Sequence, residues 1–318
     1  MTWRSGVMIL VGLAAGCGGA LEGEDLPQTL AEDFWRTSVA SELDPGSLGE
    51  LIAIPVGTVV LGDWTFDGSR FVAEPCTEGR GGTMRLRVGG FRLMRTEVTN
   101  RVYASCVARG ACAPPDGDLS REPMPGAWSD ASTANKPVAL SKELAARFCE
   151  LHGGKLPTEA QFARASAGDT SSFGIGRLAD AFVRCWQGRP EPLCEDIKRS
   201  TLSFPAVLDG AGRYRPMPDV ETVPWDVGPY GHRDLFAGAA EWIRPQFASY
   251  EECRDAVWAE SLPEITSTPP QIAWHLAGAL ADGAYRPEFG PYEVAGIVRF
   301  GEPPQYYNGF RCAFPPAP

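Results

Sequence analysis

Histidine is scarce in this chain. His152, His232 and His275 are its only three, far apart and without the H-x-x-H or H-E-x-x-H spacing of a metal centre, so zinc and iron chemistry are unsupported. Basic residues are in deficit, 29 against 40 acidic, and the formal charge of −11 disfavours nucleic acid and anionic membrane surfaces as electrostatic partners. The apolar run at residues 7–15 falls well short of the roughly 20 residues that a membrane-spanning helix needs. No internal repeat is evident, which excludes a solenoid or array. Cysteine, present elsewhere, is missing from the whole stretch between Cys253 and Cys312.

Glycine and proline are plentiful, 36 and 28, which favours turns and irregular connections over long helices. With 318 residues and 44% hydrophobic composition the chain can bury a sizeable core, and a single motif series argues for one large domain. Residues 1–16 read as an export signal, with Arg4 positive, an apolar run, and small residues before Cys17. Leu13-Ala14-Ala15-Gly16-Cys17 resembles a bacterial lipobox, with Ala14 standing where Leu is preferred. Cys17 is then the lipid attachment point; secretion with cleavage nearby and a small buried cysteine are the alternatives. Residues 17–48 read as an acidic tether, with helical spacing only around residues 30–39, and residues 49–316 as the folded domain.

Eight cysteines remain after such cleavage, namely Cys76, Cys106, Cys112, Cys149, Cys185, Cys194, Cys253 and Cys312, an even number in a chain addressed to an oxidising compartment. Disulfides are the default reading. Cys106 and Cys112 flank Gly110, and Cys185 and Cys194 bracket a Gly-Arg-Pro turn, so each pair can close a small local loop if the alpha carbons approach within about 7 Å.

Residues 51–62 are β-branched and apolar, broken by Pro55 and Gly57, and open the domain as a strand; a second strand is expected over 84–95. Three helices are expected. One follows Thr99, with Val102, Tyr103, Cys106 and Val107 at helical spacing and Gly110 as its stop; another follows Ser141, with Leu144, Ala145, Phe148, Cys149 and Leu151 on one side. The third starts in a capping box of Thr158 and Gln161, with Leu156 stapled against Phe162. Loops dominate from 168 to 231, and short strands are expected near 272–280, 294–300 and 310–314. Glu97 and Glu159 both read as acids at a helix start, favoured by the helix dipole.

Four motifs occur in order: Thr96-Glu97-Val98-Thr99-Asn100, Gly153-Gly154-Lys155-Leu156-Pro157-Thr158-Glu159-Ala160, Ala239-Ala240-Glu241-Trp242, and Gly309-Phe310-Arg311-Cys312-Ala313. Together they resemble the formylglycine-generating enzyme family, the sulfatase-modifying factors. The resemblance implies an α+β, C-type-lectin-like fold with low regular secondary-structure content. It also implies that Cys149 pairs with Cys312, and with the local pairs made, Cys76 and Cys253 remain for one another.

Catalytic members of that family convert a substrate cysteine to formylglycine through two thiolates on copper(I), a soft ion that sulfur suits. The matching stretch here is Leu276-Ala277-Gly278-Ala279-Leu280 followed by Ala281-Asp282-Gly283-Ala284-Tyr285-Arg286, which keeps Gly278 but holds no cysteine. No catalytic residue and no cofactor is therefore expected, and copper least of all. Calcium stays open through Glu241, although Gly238 stands where the family has an asparagine ligand; Glu241 reads equally well as the buried partner of an arginine or a backbone amide. Trp225, Trp242, Trp258 and Trp274 read mostly as core, with a sugar-stacking platform as the alternative. Phe289, Tyr292, Tyr306 and Tyr307 lie near the family's substrate groove and are the candidates for a binding surface.

The reading that results is an exported, membrane-anchored lipoprotein of the bacterial cell envelope. Its domain acts as a binding or structural module for an envelope glycan, peptide or protein, the alternative being an active oxidase acting on sulfatases. Cys17→Ser is expected to move the protein from the membrane fraction to the soluble one, because a lipid is the only membrane-seeking feature left after signal removal. Retention of the variant on membranes through a high-salt wash would refute the lipobox reading.

Overall fold

The computed structural model describes residues 48–62, 64–66, 71–73, 83–115, 130–168, 218–235, 239–244, 257–258, 272–273, 297–298 and 308–317. The opening apolar run forms two strands, β1 (Leu51–Ile54) and β2 (Gly57–Gly62), followed by β3 (Trp64–Phe66) and β4 (Phe71–Ala73). The single strand expected over 84–95 is also two, β5 (Thr83–Val88) and β6 (Phe91–Met94). The two breaks face each other: Ile54 pairs with Phe91 and Gly57 with Val88, so Pro55-Val56 lies opposite Gly89-Gly90 and the ribbon turns a corner there. Proline and glycine both weaken a ladder, which is why the run splits at these points. Arg164 pins the corner, its guanidinium donating to the Thr58 and Pro55 carbonyls at 3.2 and 3.3 Å.

The three expected helices form with the expected caps. Helix α1 (Asn100–Ala108) starts on the Thr99 hydroxyl, α2 (Lys142–Leu151) on that of Ser141, and α3 (Glu159–Ala167) in a full capping box. In that box Gln161 N donates to Thr158 Oγ1 at 3.2 Å, and Thr158 N donates to Gln161 Oε1 at 2.9 Å. The expected staple does not form, because Leu156 and Phe162 enter different core clusters. Leu156 stands two residues before the cap and is carried to the other side of the chain.

The Gly153-Gly154 pair has two separate reasons. Gly153 ends α2 at φ +76°, in the left-handed region that favours glycine. At Gly154 an added Cβ would meet Ala313 O and Phe314 Cε1 at 2.7 Å, too close for any side chain.

Short strands β7 (Ala240–Trp242), β8 (Val257–Trp258), β9 (Ile272–Ala273), β10 (Ile297–Val298), β11 (Asn308–Gly309) and β12 (Ala313–Phe314) complete the sheets. The strand orders are β1-β6-β12, β10-β9-β7-β11, β2-β5-β8 and β3-β4. One core cluster lies between α3 and β2, β5 and β6; the other gathers α1, α2, Trp242, Phe310, Cys312 and Phe314. Strand alternation shares the terminal segment between them, Ala313 facing the first cluster while Cys312 and Phe314 face the second.

That segment is also tied covalently. Cys149 of α2 is bonded to Cys312 across 163 residues, and Cys106 of α1 to Cys112 across 6. Cys17, Cys76, Cys185, Cys194 and Cys253 lie outside the described residues, as does the expected helix near 30–39. No helix among the described residues is long and apolar enough to cross a membrane. Opening the long bridge by Cys149→Ala with Cys312→Ala is expected to cost about 2–5 kcal/mol, read by urea unfolding. A double variant as stable as the parent would mean that the terminal segment is held without it.

Candidate functional site

The chemistry-bearing side chains of the described residues gather where the terminal segment meets β7. Strand β11 runs parallel to β7 with Gly309 beside Glu241, and β12 runs antiparallel to β6, so residues 310–312 bridge two sheets. Close approach is possible because residue 309 is glycine: a Cβ there would stand 3.0 Å from that of Ala239. Phe310 and Cys312 accept backbone bonds from Val98 and Met94 at 2.9 and 3.1 Å. Arg311 lies between them and is wholly buried.

A buried guanidinium needs acceptors for its five N–H groups. Its Nε donates to Glu241 Oε1 and Oε2 at 2.9 and 2.8 Å, and Nη2 reaches Oε1 at 2.6 Å. The remaining donors go to backbone: Nη1 to the Arg95 and Arg233 carbonyls at 3.1 Å each, and Nη2 to that of Asp234 at 3.3 Å. Arg311 thus ties together three carbonyls of irregular chain, of which that of Arg95 also accepts Arg233 N at 2.8 Å.

Further titratable groups press on this pair. Glu97 is buried, accepts Ala239 N on Oε1 at 3.0 Å, and sets Oε2 3.7 Å from Arg311 Nη2. Asp234, at φ +57°, accepts Glu221 N on Oδ2 at 2.6 Å. Burial, and then the Asp234 charge, raise Glu97 well above the ordinary carboxylate range. Burial likewise raises Asp234, to about 6, against the pull of the Glu221 amide and Arg311. His232 is pushed down to about 3, first by burial and next by Arg311, so it is a neutral imidazole. Burial works against the charge of Arg311 too, but Glu241, then Glu97 and Asp234, hold it protonated.

One alternative left open for Glu241 is met here, and one expectation, for Glu97, changes. Glu241, the calcium candidate, has both carboxylate oxygens on Arg311, and a cation there would face a guanidinium. Among the described residues no group of three His, Cys, Asp or Glu side chains is arranged to hold a metal ion. Glu97 precedes the Thr99 cap but spends its carboxylate on Ala239 and Arg311 instead of the helix end, because it lies on the wall that faces the terminal segment. Glu159 does occupy the first turn of α3.

Trp242 is core, its Nε1 donating to Leu140 O at 2.7 Å, and Trp225 is buried. Trp274, Phe289, Tyr292, Tyr306, Tyr307 and the 276–286 stretch lie outside the described residues, and of Trp258 only the backbone is described. Sequence reasoning missed Arg311, His232 and Asp234 as members of one cluster. One signal was available: an arginine inside the apolar run Gly309-Phe310-Arg311-Cys312-Ala313-Phe314 must find a buried partner.

Arg311→Met, which strands Glu241 without its counter-charge, is expected to lower stability by about 3–5 kcal/mol. Arg311→Lys should recover only part of that, since an ammonium cannot reproduce the planar fork. Urea unfolding measures both, and an Arg311→Met protein of parental stability would refute the central place given to this pair.

Residues 37–292 match the family described as the sulfatase-modifying factor enzyme 1-like domain. Among solved structures the chain is similar to PvdO from Pseudomonas aeruginosa, at 17% identity over 86% of this chain and 97% of that one, with a TM-score of 0.49. It is also similar to Treponema denticola variable protein 1, at 12% identity, 85% and 97% coverage and a TM-score of 0.46. A third is CarF, at 13% identity, 84% and 98% coverage and a TM-score of 0.42. No curated protein matches the chain. The family match takes in more than half of the 318 residues, so the chain belongs to the sulfatase-modifying factor, or formylglycine-generating-enzyme-like, family.

Proposed function

We propose that this chain is an exported, lipid-anchored member of its family that has given up the oxidase reaction and serves as a binding or structural module at the cell envelope. The observation that carries the reading is the lack of any cysteine between Cys253 and Cys312, where the oxidase needs its pair of thiolates. Linear coordination of copper(I) requires two sulfurs a few ångströms apart, and thiolates are the ligands that suit that ion. The stretch at 276–286 offers neither sulfur nor imidazole, so its residues do not fit the metal. Every cysteine among the described residues is in a disulfide, Cys106 with Cys112 and Cys149 with Cys312.

Support also comes from what the motif residues do. Thr158 and Gln161 cap α3, Gly153 and Gly154 let the chain turn beneath β12, and Glu241 holds Arg311. Each has a structural task that is complete without a substrate. With the lipid on Cys17 supplying membrane attachment, Phe289, Tyr292, Tyr306 and Tyr307 are the side chains proposed to meet an envelope glycan, peptide or protein.

The copper(I)-treated full chain, incubated in oxygen with a Cys-x-Pro-x-Arg peptide, is expected to leave the cysteine unchanged by mass spectrometry. Cys253 is the thiol to watch, because Arg254 beside it favours a thiolate. Conversion of the peptide to the aldehyde, abolished by Cys253→Ala, would overturn the proposal.

A further inference from the structure

Three buried carboxyls, Glu97, Asp234 and Glu241, face a single guanidinium, Arg311, with His232 neutral beside them. They come from different parts of the chain: Glu97 from the turn before α1, Asp234 and His232 from the 218–235 loop, Glu241 from β7 and Arg311 from the terminal segment. At the rim, Arg95 is paired with Glu50 and Glu221 at 2.6 and 2.8 Å, so its charge is already committed outward. Glu241 takes three of the Arg311 contacts, and Glu97 and Asp234 are left to share a low-dielectric space with no second cation on them among the described residues. Two like charges so placed cannot both ionise freely.

We propose that the folded domain holds a proton on the Glu97–Asp234 pair at neutral pH, and that this proton makes the closure of the terminal segment over β7 weaken as the medium turns alkaline. Of the pair, Glu97 is the holder. It is wholly enclosed, its Oε2 has no hydrogen-bond partner and stays 3.7 Å from Arg311, whereas Asp234 keeps a backbone N–H on its carboxylate. Asp234 gives up its proton at about 6, and its charge, after burial, helps to raise Glu97 well above the ordinary carboxylate range.

The sign follows from linkage. A carboxyl that binds its proton more tightly folded than unfolded stabilises the fold fully below its unfolded value, about 4.3 for glutamate. That stability is lost as pH rises through the folded value. Within the window the unfolding equilibrium constant grows about tenfold per pH unit for one proton.

The test is urea unfolding of the full chain in mild detergent between about pH 6 and pH 9, with infrared spectroscopy of the protonated carboxyl band at neutral pH. The parent is expected to show the tenfold-per-unit fall and the band. Glu97→Gln, an isostere of the protonated acid that can still accept from Ala239, should lose the band, flatten the slope and be more stable than the parent at the alkaline end. Asp234→Asn, which keeps an acceptor for Glu221 N, should shift the alkaline loss to lower pH by removing the neighbouring charge. The proposal is overturned by a flat profile in the parent, by a slope or band that survives Glu97→Gln, or, should that variant fail to fold, by an Asp234→Asn profile that coincides with the parent's.

Discussion

A wholly buried arginine at the end of the chain, bonded through two nitrogens to Glu241, is the constraint on which the rest of the described structure depends. Burying such a pair is not in itself a source of stability, since the desolvation of two ions roughly offsets their attraction. Its worth lies in what it specifies. Arg311 accepts only one arrangement of β7, of the 218–235 loop and of the end of β6, because Glu241, Arg233, Asp234 and Arg95 must all present oxygen atoms to one rigid fork. Among the described residues every strand is two to six residues long, and few ladders are extensive enough to set such relations by themselves.

Strand geometry couples this fork to the long disulfide. Neighbouring residues on an extended segment point to opposite sides, so Arg311 turns toward the carboxyls while Cys312 turns toward α2 and Cys149. The two fastenings hold opposite faces of the same three-residue bridge between β11 and β12. Rotation of the segment about its own axis, which either fastening alone would permit, is blocked by both together. Gly309 and Gly154 allow the approach, each standing where a side chain would strike Ala239 or Ala313.

What the sequence made legible was local. The caps of α1, α2 and α3, the left-handed Gly110 after α1 and the small Cys106–Cys112 loop each depend on residues within one or two turns of one another, so spacing alone reveals them. The corner between the sheets is half legible, since Pro55 and Gly57 signal a break while Gly89-Gly90 lie inside a run that reads as one strand. The acid cluster was opaque for a physical reason. Glu97 meets Ala239 across 142 residues and Arg311 meets Glu241 across 70, distances at which no periodicity carries a signal. Spacing alone therefore places Glu97 at the nearest element, a helix start, although its partners are Ala239, just before β7, and Arg311 of the terminal segment. Leu156 failed the same way: the staple expected of it was local, and the core it joined was not.

This separation bears on how far a motif match reaches. The motifs by which the chain resembles this family, from the capping box to the glycine-phenylalanine-arginine-cysteine end, are occupied in turning backbone, capping a helix, bridging two sheets or neutralising one another. Such residues report the fold, and a fold hosts chemistry only through groups added to it. On the proposed reading, an oxidase of this fold needs two thiolates that no capping box or buried ion pair supplies, and the stretch between Cys253 and Cys312 holds no cysteine to supply them. Agreement at the structural motifs is therefore compatible with that reading, since fold and chemistry are read from different sets of atoms.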